Sequence, residues 1–70
     1  MIEIRINGDC LALPYDANIQ QALAQYLDEQ QQSLSFAVAL NSDFVPRSEY
    51  DKRQLKANDS LDVLFPIFGG

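Results

Sequence analysis

Seventy residues with 5 Lys+Arg, 10 Asp+Glu and no His carry a formal net charge of −5 at pH 7, and 47% of them are hydrophobic. That balance suits one small globular domain, which buries roughly 60% of the surface its unfolded chain exposes and leaves little room for a deep catalytic pocket. The absence of His and the single Cys10 exclude a His/Cys zinc site and a cysteine-held iron–sulfur cluster. One cysteine fits a reducing, cytoplasmic setting, and the acidic balance argues against nucleic acid as a partner. No apolar run approaches the ~20 residues of a membrane helix and no leader pattern opens the chain, so no membrane association is expected.

Met1 to Ile6 alternates apolar and polar residues, the period of a half-buried strand with Ile2, Ile4 and Ile6 on one face. Asn7-Gly8 follows, and both residues accept the positive φ of a type I′ turn. Cys10 to Leu13 is then the returning strand of a hairpin. The lone Cys10 reads as a small buried hydrophobe, in preference to a sulfur relay.

Asn18 is placed to cap a helix, with Gln21 completing a capping box. Ile19, Ala22, Leu23, Tyr26 and Leu27 share one helical face, and Gln20, Gln21 and Gln25 lie opposite. Asp28 and Glu29 fall at the C-terminal end, where the helix dipole disfavours anions, so the helix is expected to fray into the glutamines that follow. Phe36 to Leu40 is a nearly continuous apolar run, expected inside the sheet and buried on both faces. Asn41-Ser42-Asp43 turns, and Phe44-Val45-Pro46 is a short edge strand, because Pro tolerates an edge. Residues 47–59 are polar and irregular, and they hold four of the five basic residues. Ser60 to Phe65 is the last strand, ended by Pro66.

The fold class is α+β. One main helix covers a mixed sheet of four to five strands, since nothing else can bury the isoleucine face. This order permits a β-grasp, ubiquitin-like domain over residues 1–66 with the first and last strands as central neighbours. Residues 67–70 form a thin tail, with Gly69 and Gly70 expected to be disordered. Ile67 and Phe68 make its stem apolar, unlike a disposable terminus, and glycines let a backbone approach a reaction centre closely in a partner's tunnel. The reactive group is then the α-carboxylate of Gly70, ionised near pH 7 and a poor electrophile until a partner activates it. The chain supplies no nucleophile, base or metal of its own for that step, so it is read as the carried group and not as an enzyme. If Leu61, Val63 and Phe65 face the helix, Leu64 faces outward, where with Phe68 it forms a docking patch. Arg47 either meets a partner or pairs with Glu49 or Asp51.

Ala39-Leu40-Asn41, Phe44-Val45-Pro46-Arg47, Tyr50, Asn58-Asp59, Leu64-Phe65 and the final Gly69-Gly70 together resemble the ThiS family of small sulfur carriers in thiamine thiazole biosynthesis. The resemblance covers essentially the whole chain. Tyr50 stands where Trp is common in that family. Pro66 resembles the molybdopterin synthase small subunit, which stays open as the alternative, as does a ubiquitin-like interaction module with an inert tail. The ThiS resemblance implies that a ubiquitin-activating-enzyme-like adenylyltransferase, using ATP and magnesium, adenylates Gly70. Sulfur from cysteine, passed on by a cysteine desulfurase, then makes a thiocarboxylate that serves thiazole synthase. It implies no cofactor bound by the chain itself.

Overall fold

The computed structural model describes residues 1–66. Five strands and two helices appear in chain order: β1 (Ile2–Ile6), β2 (Asp9–Leu13), α1 (Ile19–Tyr26), α2 (Glu29–Gln32), β3 (Ala37–Leu40), β4 (Asp43–Val45) and β5 (Ser60–Leu64). A short 3₁₀ turn spans Arg47–Glu49. The sheet order is β2-β1-β5-β3-β4, with β1 parallel to β5 and every other pair antiparallel. The first and last strands are thus central neighbours, as the β-grasp reading requires.

Two tight turns set the register. Ile6 pairs with Asp9 across Asn7 (φ 50°) and Gly8 (φ 86°), so both turn residues take the positive φ of a primed hairpin. Leu40 pairs with Asp43 across Asn41 (φ 50°) and Ser42 (φ 74°) in the same manner. Asp43 therefore opens β4 instead of finishing the turn.

The capping box at Asn18 is present in full. The Gln21 N–H donates to Asn18 Oδ1 at 2.8 Å, and the Asn18 N–H donates to Gln21 Oε1 at 2.9 Å. The next two free N–H groups of α1 also have partners. Ile19 donates to the Arg53 carbonyl and Gln20 to the Tyr50 carbonyl, both at 3.0 Å. Every leading donor of the helix is satisfied from within the chain. These bonds also explain the segment read as irregular. They fasten residues 50–55 to the helix start while Tyr50 and Leu55 drop into the core.

The far end of α1 corrects the sequence reading. Leu27 is extended (ψ 140°), and Asp28 caps a new turn of helix, its carboxylate accepting the Gln31 N–H at 2.7 Å. Asp28 and Glu29 thus sit at a helix N-terminus, where negative charge is favourable. The glutamines do not fray, because Gln32 Nε2 donates at 2.8 Å to the Leu27 carbonyl and supports the end of α1.

Ile19, Ala22, Leu23 and Leu27 pack over Ile4, Ile6, Leu13, Val38, Val45, Leu61 and Val63 in one core. β3 lies inside the sheet, but only Val38 is fully buried, and Ala37, Ala39 and Leu40 are half-buried. The apolar run does not mark a second covering layer. Ala37 and Ala39 belong to a sheet face that no helix among the described residues covers.

Candidate functional site: the open face and the exit of the last strand

The uncovered face has two halves. Cross-strand pairs Arg5–Cys10 and Glu3–Ala12 occupy the β1–β2 side. On the β5–β3–β4 side, Ala39 pairs with both Asp62 and Phe44, and Ala37 pairs with Leu64. Leu64 and Phe44 are 62% and 68% exposed, the outward positions of strands whose alternate residues fill the core. Leu64 faces out as expected. Phe44 was missed as a surface residue, yet its signal lay in the pattern, since an inward Val45 forces its neighbour outward. Cys10 is exposed, contrary to expectation. It shares the open face with its partner Arg5, while Leu13 takes the buried side of β2.

Phe36 sits where the open face meets the end of β5. Its ring stacks parallel to Tyr50 at 6.3 Å and meets Phe65 edge-on at 5.6 Å. On one side is a shallow groove of about 350 Å³ lined by Ser35, Phe36, Ala37, Leu64, Phe65 and Pro66. On the other is a cleft of about 130 Å³ lined by Gln32, Leu34, Ser35, Phe36, Arg47 and Tyr50. The two expected docking residues, Leu64 and Arg47, therefore line different depressions joined by Ser35 and Phe36. Arg47 does not pair with Glu49, whose Oε1 instead meets Arg53 Nε at 3.0 Å, and among the described residues it enters no ion pair. Its guanidinium still acts on Tyr50: burial pushes that phenol above its ordinary value, and Arg47 pulls it part of the way back.

Two other residue groups in the resemblance form structural latches. Asp59 is buried and accepts the Lys56 N–H at 2.7 Å and Asn41 Nδ2 at 3.0 Å. Asn41 Oδ1 in turn accepts the Ser60 N–H at 2.9 Å. Together they bind the start of β5 to the β3–β4 turn. Ile67, Phe68, Gly69 and Gly70, the expected stem and reactive end, lie outside the described residues, and so does the proposed contact of Phe68 with Leu64.

Among the described residues no cluster of three or more His, Cys, Asp or Glu side chains is placed to hold a metal ion. No helix among them is long and apolar enough to cross a membrane. What the site offers is an apolar surface on a rigid sheet, beside the strand that leads to residues 67–70.

A family model described as the ThiS family matches residues 4–70. Among solved structures, the chain is similar to a thiamine biosynthesis protein (ThiS) from Geobacter metallireducens, with a TM-score of 0.77 and 21% identity over 99% of this chain and 100% of that one. No curated protein sequence matches the chain.

Proposed function

From the premise that this chain belongs to the ThiS family, we propose that it is a cytoplasmic sulfur carrier for thiazole formation in thiamine biosynthesis. Gly70 is the group that is charged. A ubiquitin-activating-enzyme-like adenylyltransferase with ATP and magnesium joins the Gly70 carboxylate to AMP and releases pyrophosphate. A persulfide, drawn from cysteine through a desulfurase, then forms a C–S bond as the C–O bond to AMP breaks, and a thiol reductant cleaves the S–S bond of the acyl disulfide, becoming oxidised to a disulfide itself. The resulting thiocarboxylate passes its sulfur to thiazole synthase. Activation is needed because an ionised carboxylate resists nucleophilic attack.

The observation that carries this reading is the family match, which runs from Ile4 to the final glycine. The open face supports it. Leu64 offers a partner apolar contact near the end of β5, Phe44 adds apolar surface on the same face, and Arg47 adds a cation without an ion-pair partner among the described residues. In this reading Ile67, Phe68 and Gly69 thread into the partner.

Intact-mass spectrometry tests it. The chain is incubated with an adenylyltransferase from the same source, ATP, magnesium and sulfide. The expected result is exchange of one oxygen for sulfur, mapped to Gly70 and lost when Gly70 is deleted. Absence of exchange in the intact chain overturns the carrier role. Sulfur delivery to a molybdopterin synthase large subunit instead of thiazole synthase would move the chain to the alternative acceptor.

A further inference from the structure

β5 runs past its parallel neighbour. The β1–β5 pairing covers only Arg5 with Ser60 and Ile6 with Leu61, after which β1 turns away at Asn7. On its other side β5 keeps a partner as far as Leu64, which pairs with Ala37. Val63 therefore faces a gap on the β1 side.

The Asn7 side chain fills that gap. The Val63 N–H donates to Asn7 Oδ1 at 2.7 Å, and Asn7 Nδ2 donates to the Val63 carbonyl at 3.1 Å, both partly buried. The Asn7 backbone N–H donates to the Leu61 carbonyl at 3.0 Å. A carboxamide carries one donor side and one acceptor side, like a peptide group, so it continues the ladder where the backbone has left it. Asn also tolerates the left-handed conformation (φ 50°) that the turn imposes. One residue thus makes the hairpin turn and clasps the strand that leads to Gly70.

We propose that Asn7 is a positioning residue for the carrier reaction: its carboxamide fixes the end of β5, the strand that leads in sequence to Gly70. This rests on the carrier reading above. Without the clasp, the end of β5 samples more conformations, and a partner must order it on binding. Such a loss raises KM for the carrier and leaves kcat in place, since the chemistry at Gly70 is untouched.

Asn7→Gly and Asn7→Asp separate the clasp from the turn, because both residues accept the left-handed turn conformation. Amide hydrogen exchange and the kinetics of adenylation, followed by pyrophosphate exchange, are measured on each full-length variant. In Asn7→Gly, Val63 is expected to exchange roughly tenfold faster or more relative to Ile6 and Val38, in line with the loss of two hydrogen bonds. KM for the carrier is expected to rise by a similar factor at constant kcat. Asn7→Asp keeps the acceptor for the Val63 N–H and loses the donor to its carbonyl, so it recovers part of both effects. Unchanged Val63 exchange in Asn7→Gly overturns the clasp. Faster exchange with unchanged KM, or a fall in kcat alone, overturns the positioning role and leaves Asn7 a fold residue. A wild-type chain that is never adenylated overturns the carrier reading and the kinetic claim with it, while the exchange result still decides the clasp.

Discussion

On the covered face of the sheet Ile4, Ile6, Leu61, Val63, Val38 and Val45 are at most 3% exposed, whereas on the open face Leu64 is 62% and Phe44 68% exposed. The same strands supply both sets, one residue apart. Burial on the first face drives folding at ~25 cal/mol per Å² of apolar surface removed from water. The apolar groups of the second face gain almost none of that in the free protein. In the proposed function, their contribution comes when a partner covers them. Burial and exposure are thereby divided between alternate residues of single strands, most sharply at Val63 and Leu64.

That division is breakable at neighbouring positions. Leu61→Ala, on the covered face, is expected to lower unfolding stability by about 2–5 kcal/mol, as truncation of a fully buried leucine does; denaturant melts measure it. A loss under ~1 kcal/mol would show that the helix does not seal this face. Leu64→Ala combined with Phe44→Ala should do the reverse. Stability stays within ~0.5 kcal/mol of the parent, and capture by the adenylyltransferase weakens about tenfold or more, equivalent to ~1.4 kcal/mol. Titration calorimetry reads the affinity, and equal binding by the double variant would remove the open face from the proposal. Asn18→Ala sharpens the comparison on the helix side. It removes one half of the capping box and costs about 1 kcal/mol, with no effect on partner affinity.

The smallest effect lies where the hairpin meets the helix. Tyr26 donates its O–H to the Asp9 carboxylate, and that bond, helped by desolvation and by the Asp9 charge, raises the Tyr26 pKa above 10.0. A raised value in the folded chain means that the contribution to stability is complete below the unfolded value. It is lost on the alkaline side as pH rises through the folded value. Asp9→Asn is expected to bring Tyr26 back toward 10, and a carbon-13 NMR titration of its ring measures this. An unmoved Tyr26 would mean that Asp9 is not the cause.

Much of this was legible because it is local. Alternating Ile2, Ile4 and Ile6, the Asn7-Gly8 turn and the Asn18–Gln21 box each state their conformation within a few residues. Phe44 was legible too, through the parity of Val45, but was read as an edge strand and not as surface. Where reading and structure differ, either two local signals compete or a distant partner decides. Asp28 reads as the end of α1, although Asp28 and Gln31 carry the same capping-box spacing as Asn18 and Gln21, and that box starts the second helix. Cys10 reads as buried only when its strand is taken alone, because the two-residue Asn7-Gly8 turn pairs it with Arg5, opposite the isoleucine face. The 47–59 segment reads as irregular because the carbonyls of Tyr50 and Arg53 find their donors across the chain, at Gln20 and Ile19. The double grip of Asn7 on Val63, 56 residues away in sequence, left no trace in the order of residues.

The amino-acid order alone determined the five strands, the main helix, the Asn7-Gly8 turn and the apolar stripe that must be covered, since periodicity and turn chemistry act over a few bonds. The family resemblance pointed to the terminal glycines as the reactive end. Tertiary structure decided which apolar residues remain outside, that Arg47 and Leu64 line separate depressions on either side of Phe36, and that a turn residue clasps the last strand. Those outcomes depend on strand pairing between distant segments, whose register follows from filling one shared core.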